Sequence, residues 1–264
     1  MPAEVVEPIP EDALLRPPRW PAGCGALMTT RAGGVSEPPF DTLNLRGPPF
    51  VDDDPLAVAE NRRRFVATIA ATPVWLEQVH GTRVVRLAGT HAAPGAPAER
   101  ADAAVTTERG IACTVLVADC LPVLFASRDG RVVGAAHAGW RGLAGGVLEA
   151  TVDALREASG LAASDVVAWI GAGIGPGHFE VGADVPAAFA ANEAAHFTPS
   201  AARGGVPKWH ADLPAIAAAR LRATGVSEVS AAGLCTADDA SRFFSYRRDG
   251  RTGRLAAAAW IAPM

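Results

Sequence analysis

The chain lacks an excess of basic residues, a long apolar run and a secretory signal. Its 264 residues include 24 Lys and Arg against 28 Asp and Glu, for a formal net charge of -4 and a pI of about 5.9. Proteins that bind nucleic acid or membrane surfaces generally need a basic field, so the composition argues against both partners. No apolar run reaches transmembrane length, and residues 1–15 have neither the basic nor the apolar segment of a signal peptide. We therefore expect a cytoplasmic protein.

Cysteine is scarce, with four residues in the chain. Without an export signal, these cysteines are better interpreted as thiols or metal ligands than as disulfides. Cys113 lies inside an apolar run and fits an inert core position, which is the commoner role of a lone cysteine. Cys120 instead follows a predicted strand and neighbours Asp119. Cys24 and Cys235 remain ambiguous.

Three short segments each place one soft metal ligand near a glycine or proline: residues 78–81 (Gln-Val-His-Gly), 118–122 (Ala-Asp-Cys-Leu-Pro) and 137–142 (His-Ala-Gly-Trp-Arg-Gly). The ligands are His80, Cys120 and His137. Three protein ligands leave the fourth tetrahedral position of zinc to water or substrate, which is typical of catalytic rather than structural sites. The other four histidines fit surface or capping roles. An enzyme with one zinc site is the leading hypothesis.

Two of these segments can be placed in space by a predicted hairpin. Apolar, β-rich runs flank residues 129–130 (Asp-Gly), a dipeptide typical of two-residue hairpin turns. With that turn, Pro122 pairs with His137, and the side chains of Cys120 and His137 share one face, with Cβ atoms roughly 6 to 8 Å apart. A three-residue turn would reverse this parity. Pro122 cannot donate a ladder hydrogen bond and therefore predicts a sheet edge or a bulge.

The remaining pattern predicts a mixed or antiparallel sheet with flanking helices, because strands often follow one another without an intervening helix. No long linker divides the chain, and we expect one domain over residues 1–264. The helix over residues 56–71 begins with Asp54 as N-cap and Pro55, and its run of Arg62, Arg63 and Arg64 is interpreted as a solvated face. Further helices are predicted over residues 145–158, 185–192 and 213–223. Strands are predicted over residues 26–30, 74–79, 84–87, 103–107, 111–118, 122–127, 132–136, 166–170, 228–232 and 255–261.

Two clusters have the composition of anion sites. In residues 30–36 (Thr-Arg-Ala-Gly-Gly-Val-Ser) a strand ends in a glycine turn, where backbone N–H groups, Arg31 and Ser36 could bind phosphate; an ordinary turn is the alternative. Residues 243–250 combine paired aromatics with paired arginines, including Arg248, and a plain Arg-Asp-Gly turn is again the alternative. Arg141 is a further candidate ligand for phosphate or carboxylate.

Taken together, the motifs resemble those of the laccase-domain family, whose members were first called multicopper polyphenol oxidases and later purine nucleoside phosphorylases. The similarity extends from about Met28 to Arg254. The motifs appear in one order: residues 31–36 (Arg-Ala-Gly-Gly-Val-Ser), Asn44, the three ligand segments, residues 179–182 (Phe-Glu-Val-Gly), residues 235–236 (Cys-Thr) and residues 244–248 (Phe-Ser-Tyr-Arg-Arg).

The resemblance implies an α/β (α+β) fold, a layered α/β/β/α sandwich with mixed sheets related to cysteine hydrolases. It also implies a metal, usually zinc, at His80, Cys120 and His137. The associated reactions are phosphorolysis of adenosine, inosine and methylthioadenosine, and hydrolytic deamination of adenosine, so a nucleoside and phosphate are the expected partners; some members edit peptidoglycan precursors. The oligomeric state stays open. The candidate substrate or phosphate ligands are Arg31, Ser36, Asn44, Gln78, Arg141 and Arg248.

The chain departs from the family pattern at residues 171–181 (Gly-Ala-Gly-Ile-Gly-Pro-Gly-His-Phe-Glu-Val), where many members carry cysteines and a tyrosine. Any role of those cysteines or that tyrosine is therefore in doubt. His178 is a polar residue that the family pattern does not contain. A multicopper centre needs many closely spaced imidazoles, and six histidines without a His-X-His pair do not supply them. One copper could still occupy the three-ligand site. A four-copper oxidase is therefore disfavoured.

Three mechanisms remain open from the sequence. A zinc enzyme would activate water for attack on adenine C6, with Asp119 or Glu180 as proton carrier. In phosphorolysis, phosphate held by Arg31, Ser36 or Arg141 would attack ribose C1′ while protonation or the metal stabilises the departing purine. A cysteine hydrolase would use Cys120 as a nucleophile activated by His137 and would need no metal. A non-enzymatic protein with a structural metal would need a fourth clear protein ligand.

Overall fold

The computed structural model describes residues 6–47, 52–203 and 205–263. Within them, the α-helices are α1 (Pro55–Ile69), α2 (Trp140–Gly145), α3 (Val147–Ser159), α4 (Leu213–Ala223) and α5 (Tyr246–Asp249). The strands are β1 (Leu14–Leu15), β2 (Cys24–Thr29), β3 (Thr72–Trp75), β4 (Val84–Arg86), β5 (Ala103–Thr106), β6 (Ile111–Val117), β7 (Leu121–Ser127), β8 (Val133–Ala138), β9 (Val166–Ile170), β10 (Glu180–Val181), β11 (Phe197–Arg203), β12 (Val206–Ala211), β13 (Glu228–Ala231) and β14 (Leu255–Ile261).

Two mixed sheets lie face to face and carry helices on their outer faces. The first sheet has the order β1-β2-β14-β6-β3 and the second the order β13-β9-β7-β8-β5-β4. Helix α1 packs on the first sheet through Phe65 and Ile69, while α3 and α4 pack on the second. This arrangement confirms the α/β/β/α sandwich expected from the resemblance. The relation to cysteine hydrolases stays a prediction, as does the single domain.

The three apolar layers follow from strand alternation in the sequence. Successive side chains of a strand point to opposite faces, so Val123 and Phe125 of β7 face α3 and α4, whereas Leu124 and Ala126 face the other sheet. Both faces of β7 are covered, and all seven of its residues are buried. A continuous apolar run is the sequence signature of such a doubly covered strand.

All ten predicted strands form, within a few residues of their expected bounds. The helix over residues 213–223 and the N-cap role of Asp54, whose side chain accepts a hydrogen bond from Leu56 N, are confirmed. The helix predicted over residues 185–192 is wrong, because Pro186–Ala188 and Ala191–His196 form separate 3₁₀ turns. The small sheet of β10, β12 and β11 was not expected, since its strands are short or polar.

The hairpin register is confirmed, but the edge or bulge expected at Pro122 is wrong. Pro122 pairs with His137, and β7 is an interior strand between β8 and β9. The pairing with β9 begins only at Val123, so the missing N–H of Pro122 falls beyond that ladder. Its carbonyl still accepts a hydrogen bond from Gly171 N at 2.9 Å.

The interpretation of Arg62 as part of a solvated face is also wrong. Its guanidinium stacks over Trp75, 4.2 Å from the ring centroid, and its Nε donates to Leu45 O. Burial lowers the pKa of Arg62 to about 10. The next two arginines keep polar partners near the surface, with Arg63 and Arg64 both paired to Glu60.

None of the helices formed by the described residues has both the length and the apolar composition that a membrane-spanning helix requires.

Candidate metal centre

His80, Cys120 and His137 meet at one end of the sandwich. His80 lies in the loop after β3, Cys120 directly precedes β7, and His137 lies on β8. Their ligand atoms all lie within 4.8 Å of one another, and Cys120 Sγ is 3.8 Å from His80 Nε2. Tetrahedral zinc with ordinary bond lengths separates its N and S ligands by roughly 3.5 Å. The donor set and its spacing therefore fit zinc, and the exposed side of His80 leaves room for a further ligand.

Asp102, which the sequence analysis did not single out, connects the two histidines. Its carboxylate is fully buried and lies 2.9 Å from His137 Nδ1. The same carboxylate accepts hydrogen bonds from the backbone N–H groups of Val79, His80 and Gly81 at 2.7 to 3.1 Å. With Nδ1 donating to Asp102, His137 presents Nε2 to a metal, and a metal-bound histidine is usually oriented in this way.

The strand register explains why Asp102 reaches His137. Ala103 pairs with Ala136 in the antiparallel β5–β8 ladder, so Asp102 is opposite His137. Burial raises the pKa of the Asp102 carboxyl, but the hydrogen bonds from His137 and the loop amides outweigh burial and hold the pKa below its usual value. The carboxylate therefore stays ionised as a buried anchor. The backbone of His80 has a φ of 61°, and the three amide bonds to Asp102 hold its loop in this left-handed conformation.

Gly139 allows the ligands to approach the backbone closely. A Cβ atom at this position would lie 2.8 Å from His80 Cδ2 and 3.0 Å from Cys120 Sγ. Any side chain would therefore push at least one ligand away. This close approach explains why residue 139 is a glycine. Its φ of -69° is one that any residue can adopt.

The three ligands also change one another's ionisation in the metal-free protein. Burial raises the pKa of the Cys120 thiol, but His137 and His80 oppose this and lower the pKa to about 6. Burial lowers the pKa of His137, but Cys120 and Asp102 raise it to about 9. The site is therefore a thiolate beside an imidazolium at neutral pH. A thiolate is the form of cysteine that binds metal or acts as a nucleophile.

A cavity of about 600 Å³ opens onto the three ligands. Aromatic side chains from separate parts of the chain contribute to its wall: Trp75, Trp140, Phe179 and Tyr246. Five arginines also line it: Arg46, Arg62, Arg141, Arg247 and Arg254. Flat apolar surfaces for a ring and several cations for an anion are therefore present in one space.

Asp119 lines this cavity, and its carboxylate is fixed in position. Its Oδ1 accepts from Thr236 Oγ1 at 2.6 Å, and its Oδ2 accepts from Arg247 N at 2.7 Å. Its backbone has a φ of 94°, an uncommon conformation for a residue with a side chain. Of the other sequence candidates, Gln78 and Arg141 also line the cavity. The amide of Gln78 pairs with both N and O of Leu116.

Arg31 and Ser36 are not among the described residues that line the cavity. The guanidinium of Arg31 donates to Asp41 O, Asp41 Oδ1 and Ala240 O at 2.7 to 2.9 Å. Ser36 is buried, and its Oγ accepts from Asn61 Nδ2. The glycine turn is thus tied together by internal hydrogen bonds.

Three more candidates also lie outside the cavity lining and have internal partners. Asn44 is buried and bonds backbone amides, Glu180 Oε2 accepts from Ser200 Oγ at 2.8 Å, and Arg248 pairs with Asp249. Arg248 also donates to the carbonyls of Thr236, Ala237 and Phe243, which stabilises its loop. Arg247, the other arginine of the 243–250 cluster, does line the cavity. In contrast, no motif pointed to Arg46 or Arg254, because they are distant in sequence and meet only in the folded chain.

The chain is similar in sequence to proteins of one known family. The family described as multi-copper polyphenol oxidoreductase laccase matches residues 25–262. The chain belongs to this family. A purine nucleoside phosphorylase of Pseudomonas aeruginosa is 49% identical over 249 residues, which cover 92% of this chain and 97% of the relative. The Escherichia coli K12 purine nucleoside phosphorylase YfiH is 44% identical over 248 residues, with the same coverage of 92% and 97%.

Solved structures of the family share the fold. A Neisseria meningitidis protein superposes with a TM-score of 0.86 at 40% identity and covers 95% of this chain and 100% of its own. YlmD from Geobacillus stearothermophilus gives a TM-score of 0.83 at 32% identity, with coverage of 98% and 99%. The resemblance inferred from the motifs is confirmed. The family description refers to copper, whereas the relatives' names refer to purine nucleosides.

Proposed function

We propose that this protein is a zinc-dependent purine nucleoside phosphorylase acting on adenosine, inosine and methylthioadenosine, and that it also deaminates adenosine by hydrolysis. The observation that supports it most is the position of the three ligands at the floor of a cavity with both aromatic and cationic walls. Aromatic side chains can pack against the purine ring of a nucleoside, and arginines can bind phosphate. The names of two relatives support the assignment as a purine nucleoside phosphorylase.

His80, Cys120 and His137 would hold the zinc, with Asp102 fixing the two histidines. When bound there, zinc supplies a Lewis acid that polarises an oxygen or nitrogen of the bound reactants. Phosphorolysis joins a phosphate oxygen to ribose C1′ while the bond from C1′ to the purine nitrogen breaks, and the departing base takes up a proton. That proton comes from the attacking hydrogen phosphate, which becomes the phosphate group of the sugar product. We assign its relay to the carboxylate of Asp119, which accepts the proton from phosphate and passes it to the base, since Glu180 is not among the described lining residues.

Binding of the substrate is assigned to the cavity wall. The rings of Trp75, Trp140 and Phe179 offer faces and edges for a purine. Arg141, stacked 4.2 Å from the centroid of Trp140, and Gln78 are the sequence candidates retained for polar contact with substrate.

The direct test uses protein purified with zinc and checked for metal content. Adenosine, inosine and methylthioadenosine are each incubated with and without phosphate, and free base, sugar phosphate and ammonia are measured. We expect phosphate-dependent release of base, with the His137→Ala variant inactive. Absence of any base release from fully zinc-loaded protein would refute the proposal, and base release without ammonia would refute only the deamination.

A specific geometric feature favours a cysteine hydrolase as the second candidate. Cys120, His137 and Asp102 are arranged like the nucleophile, base and orienting carboxylate of a catalytic triad. Because the pKa of Cys120 is about 6, its thiol is ionised at neutral pH. Verified metal-free protein that still turns over nucleosides, and loses this activity on alkylation of Cys120, would favour the hydrolase. Chelator-sensitive activity restored by zinc would favour the metal enzyme.

A further inference from the structure

Asn44 holds two arginines of the cavity wall side by side. Its Oδ1 accepts hydrogen bonds from Arg46 N at 3.1 Å and from Arg254 N at 2.9 Å, and its Nδ2 donates to Asp53 Oδ2 at 3.0 Å. The carbonyl of Arg254 in turn accepts from Leu45 N at 3.1 Å. Asn44 is buried behind the wall, whereas both arginines line the cavity. One amide side chain thus fixes two cations from distant parts of the sequence.

The backbones of Arg46 and Arg254 meet at Asn44 and both residues line one cavity, so their positive charges repel each other. Burial lowers the pKa of Arg254, and the charge of Arg46 lowers it further, while Cys120, Asp119 and Asp52 act in the opposite direction. Arg46 is 3.6 Å from the exposed carboxylate of Asp52. Adjacent like charges in a partly desolvated wall cost free energy, and an anion placed between them would recover it.

Arg254 has no carboxylate partner of its own in the part of the chain that the structure describes. Its Nη1 donates to the carbonyls of Thr252 and Gly253 at 3.1 and 3.0 Å, and these acceptors carry no charge. The guanidinium therefore retains positive charge and donor capacity towards the cavity. Arg254 lines the same cavity as Cys120 and Asp119, so this charge lies on the side of the metal centre.

We propose that Arg46 and Arg254, positioned by Asn44, form the subsite that binds the phosphate oxyanion next to the metal centre. Each planar guanidinium can bind two oxygens of a phosphate at once. Two neighbouring cations also match the charge of a phosphate dianion better than that of a single carboxylate. This inference rests on the proposed phosphorolysis for its ligand. It moves phosphate away from the glycine turn of Arg31, and it changes the role of Asn44 from a direct ligand to a positioning residue.

The test measures binding directly, so that it does not depend on turnover. Zinc-loaded protein is titrated with inorganic phosphate at constant ionic strength, and the fluorescence of Trp75 and Trp140, which line the cavity, reports binding. Arg254→Gln and Arg46→Gln should each weaken phosphate binding by about tenfold to hundredfold, the usual effect of losing a charge-assisted hydrogen bond. Arg156→Gln, on the exposed side of α3, is the matched control for loss of one charge.

Two further variants separate binding from folding. Arg254→Lys keeps the charge but loses the planar fork, so we expect an intermediate loss with an unchanged melting temperature. Asn44→Ala keeps both arginines but releases their backbones, and it should weaken phosphate binding in zinc-loaded, folded protein. Phosphate binding equal to wild type in both Arg254→Gln and Arg46→Gln would overturn the proposal.

The failures of the two proposals can be told apart. If the variants lose phosphate binding while wild-type protein cleaves no nucleoside, the subsite stands and the proposed function fails. If the wild type performs phosphorolysis and both glutamine variants keep its KM for phosphate, the function stands and the subsite fails. Binding of inosine monophosphate, but not of inorganic phosphate, would overturn the assignment to free phosphate and show that the pair serves the phosphoryl group of a nucleotide.

Discussion

The carboxylate of Asp102 and the imidazole of His137 are joined by a hydrogen bond of 2.9 Å in a region from which solvent is almost fully excluded. The same carboxylate holds the backbone of the loop that carries His80. One buried anion therefore fixes the directions of two of the three ligands. Neither ligand could turn away without leaving a charge or several N–H groups unpaired.

Replacement of Asp102 should weaken the metal site more than the fold. Asp102→Asn retains the shape but lacks the negative charge, so we expect zinc affinity to fall by about tenfold to hundredfold, as for other outer-sphere partners of metal ligands. Competition with a chromophoric chelator measures this affinity. Asp153→Asn, on an exposed position of α3, should leave it unchanged. Equal zinc affinity in wild type and Asp102→Asn would show that the hydrogen bond does not orient His137.

The protein should bind one zinc per chain. Among the described residues, His80, Cys120 and His137 form the one cluster of three or more His, Cys, Asp or Glu with ligand spacing. Zinc content, measured by inductively coupled plasma mass spectrometry, should fall in each of the variants His80→Ala, Cys120→Ala and His137→Ala. It should not fall in the control variant His196→Ala. Full zinc content in all three variants would refute the assignment of the site.

Zinc should protect Cys120 from alkylation. In metal-free protein the thiolate form persists down to the pKa of about 6, so iodoacetamide should react readily at pH 7 and more slowly as the pH falls through 6. Burial raises the pKa of Cys24 to about 11, and Cys24 should stay largely unmodified at pH 7. Peptide mass spectrometry identifies the modified residue. Rapid alkylation of Cys120 in fully zinc-loaded protein would argue against coordination of its sulfur.

Gly139→Ala should disturb the ligands without straining the backbone. The added Cβ would lie within 3.0 Å of both His80 and Cys120, and this contact must displace a ligand. We expect zinc affinity to fall by about tenfold or more, comparable to other losses of ligand orientation. Gly177→Ala, where a Cβ would meet nothing within 4 Å, is the matched control. Unchanged affinity in Gly139→Ala would mean that the ligands can shift together.

Arg31→Gln should act on stability. The guanidinium bonds Asp41 and two backbone carbonyls, so its loss should lower the free energy of unfolding by about 1 to 3 kcal/mol. Urea denaturation measures this change. Phosphate binding by the folded variant should equal that of wild type, because Arg31 does not line the cavity. A loss of phosphate affinity without a loss of stability would return the phosphate site to the glycine turn.

The sequence by itself determined most of the elements and the three residues of the candidate metal site. Strand alternation and turn residues fixed the β7–β8 hairpin, whose register places Cys120 near His137, because side-chain direction in a strand has a period of two. The motif strings identified the family and added His80, which no local pattern could bring next to the hairpin. These strand, turn and motif signals can be recognised from the sequence because each is carried by consecutive residues.

Tertiary structure alone decided what surrounds those ligands. Asp102 reaches His137 only because β5 pairs with β8. The backbones of Arg46 and Arg254 come together through Asn44 and the bond from Leu45 N to Arg254 O, across more than 200 positions of the chain. The same packing left Arg31 with internal partners and moved Arg62 from an expected solvated face onto Trp75. Such contacts depend on which strands become neighbours, and that choice is made by burial of whole sheet faces rather than by any short segment.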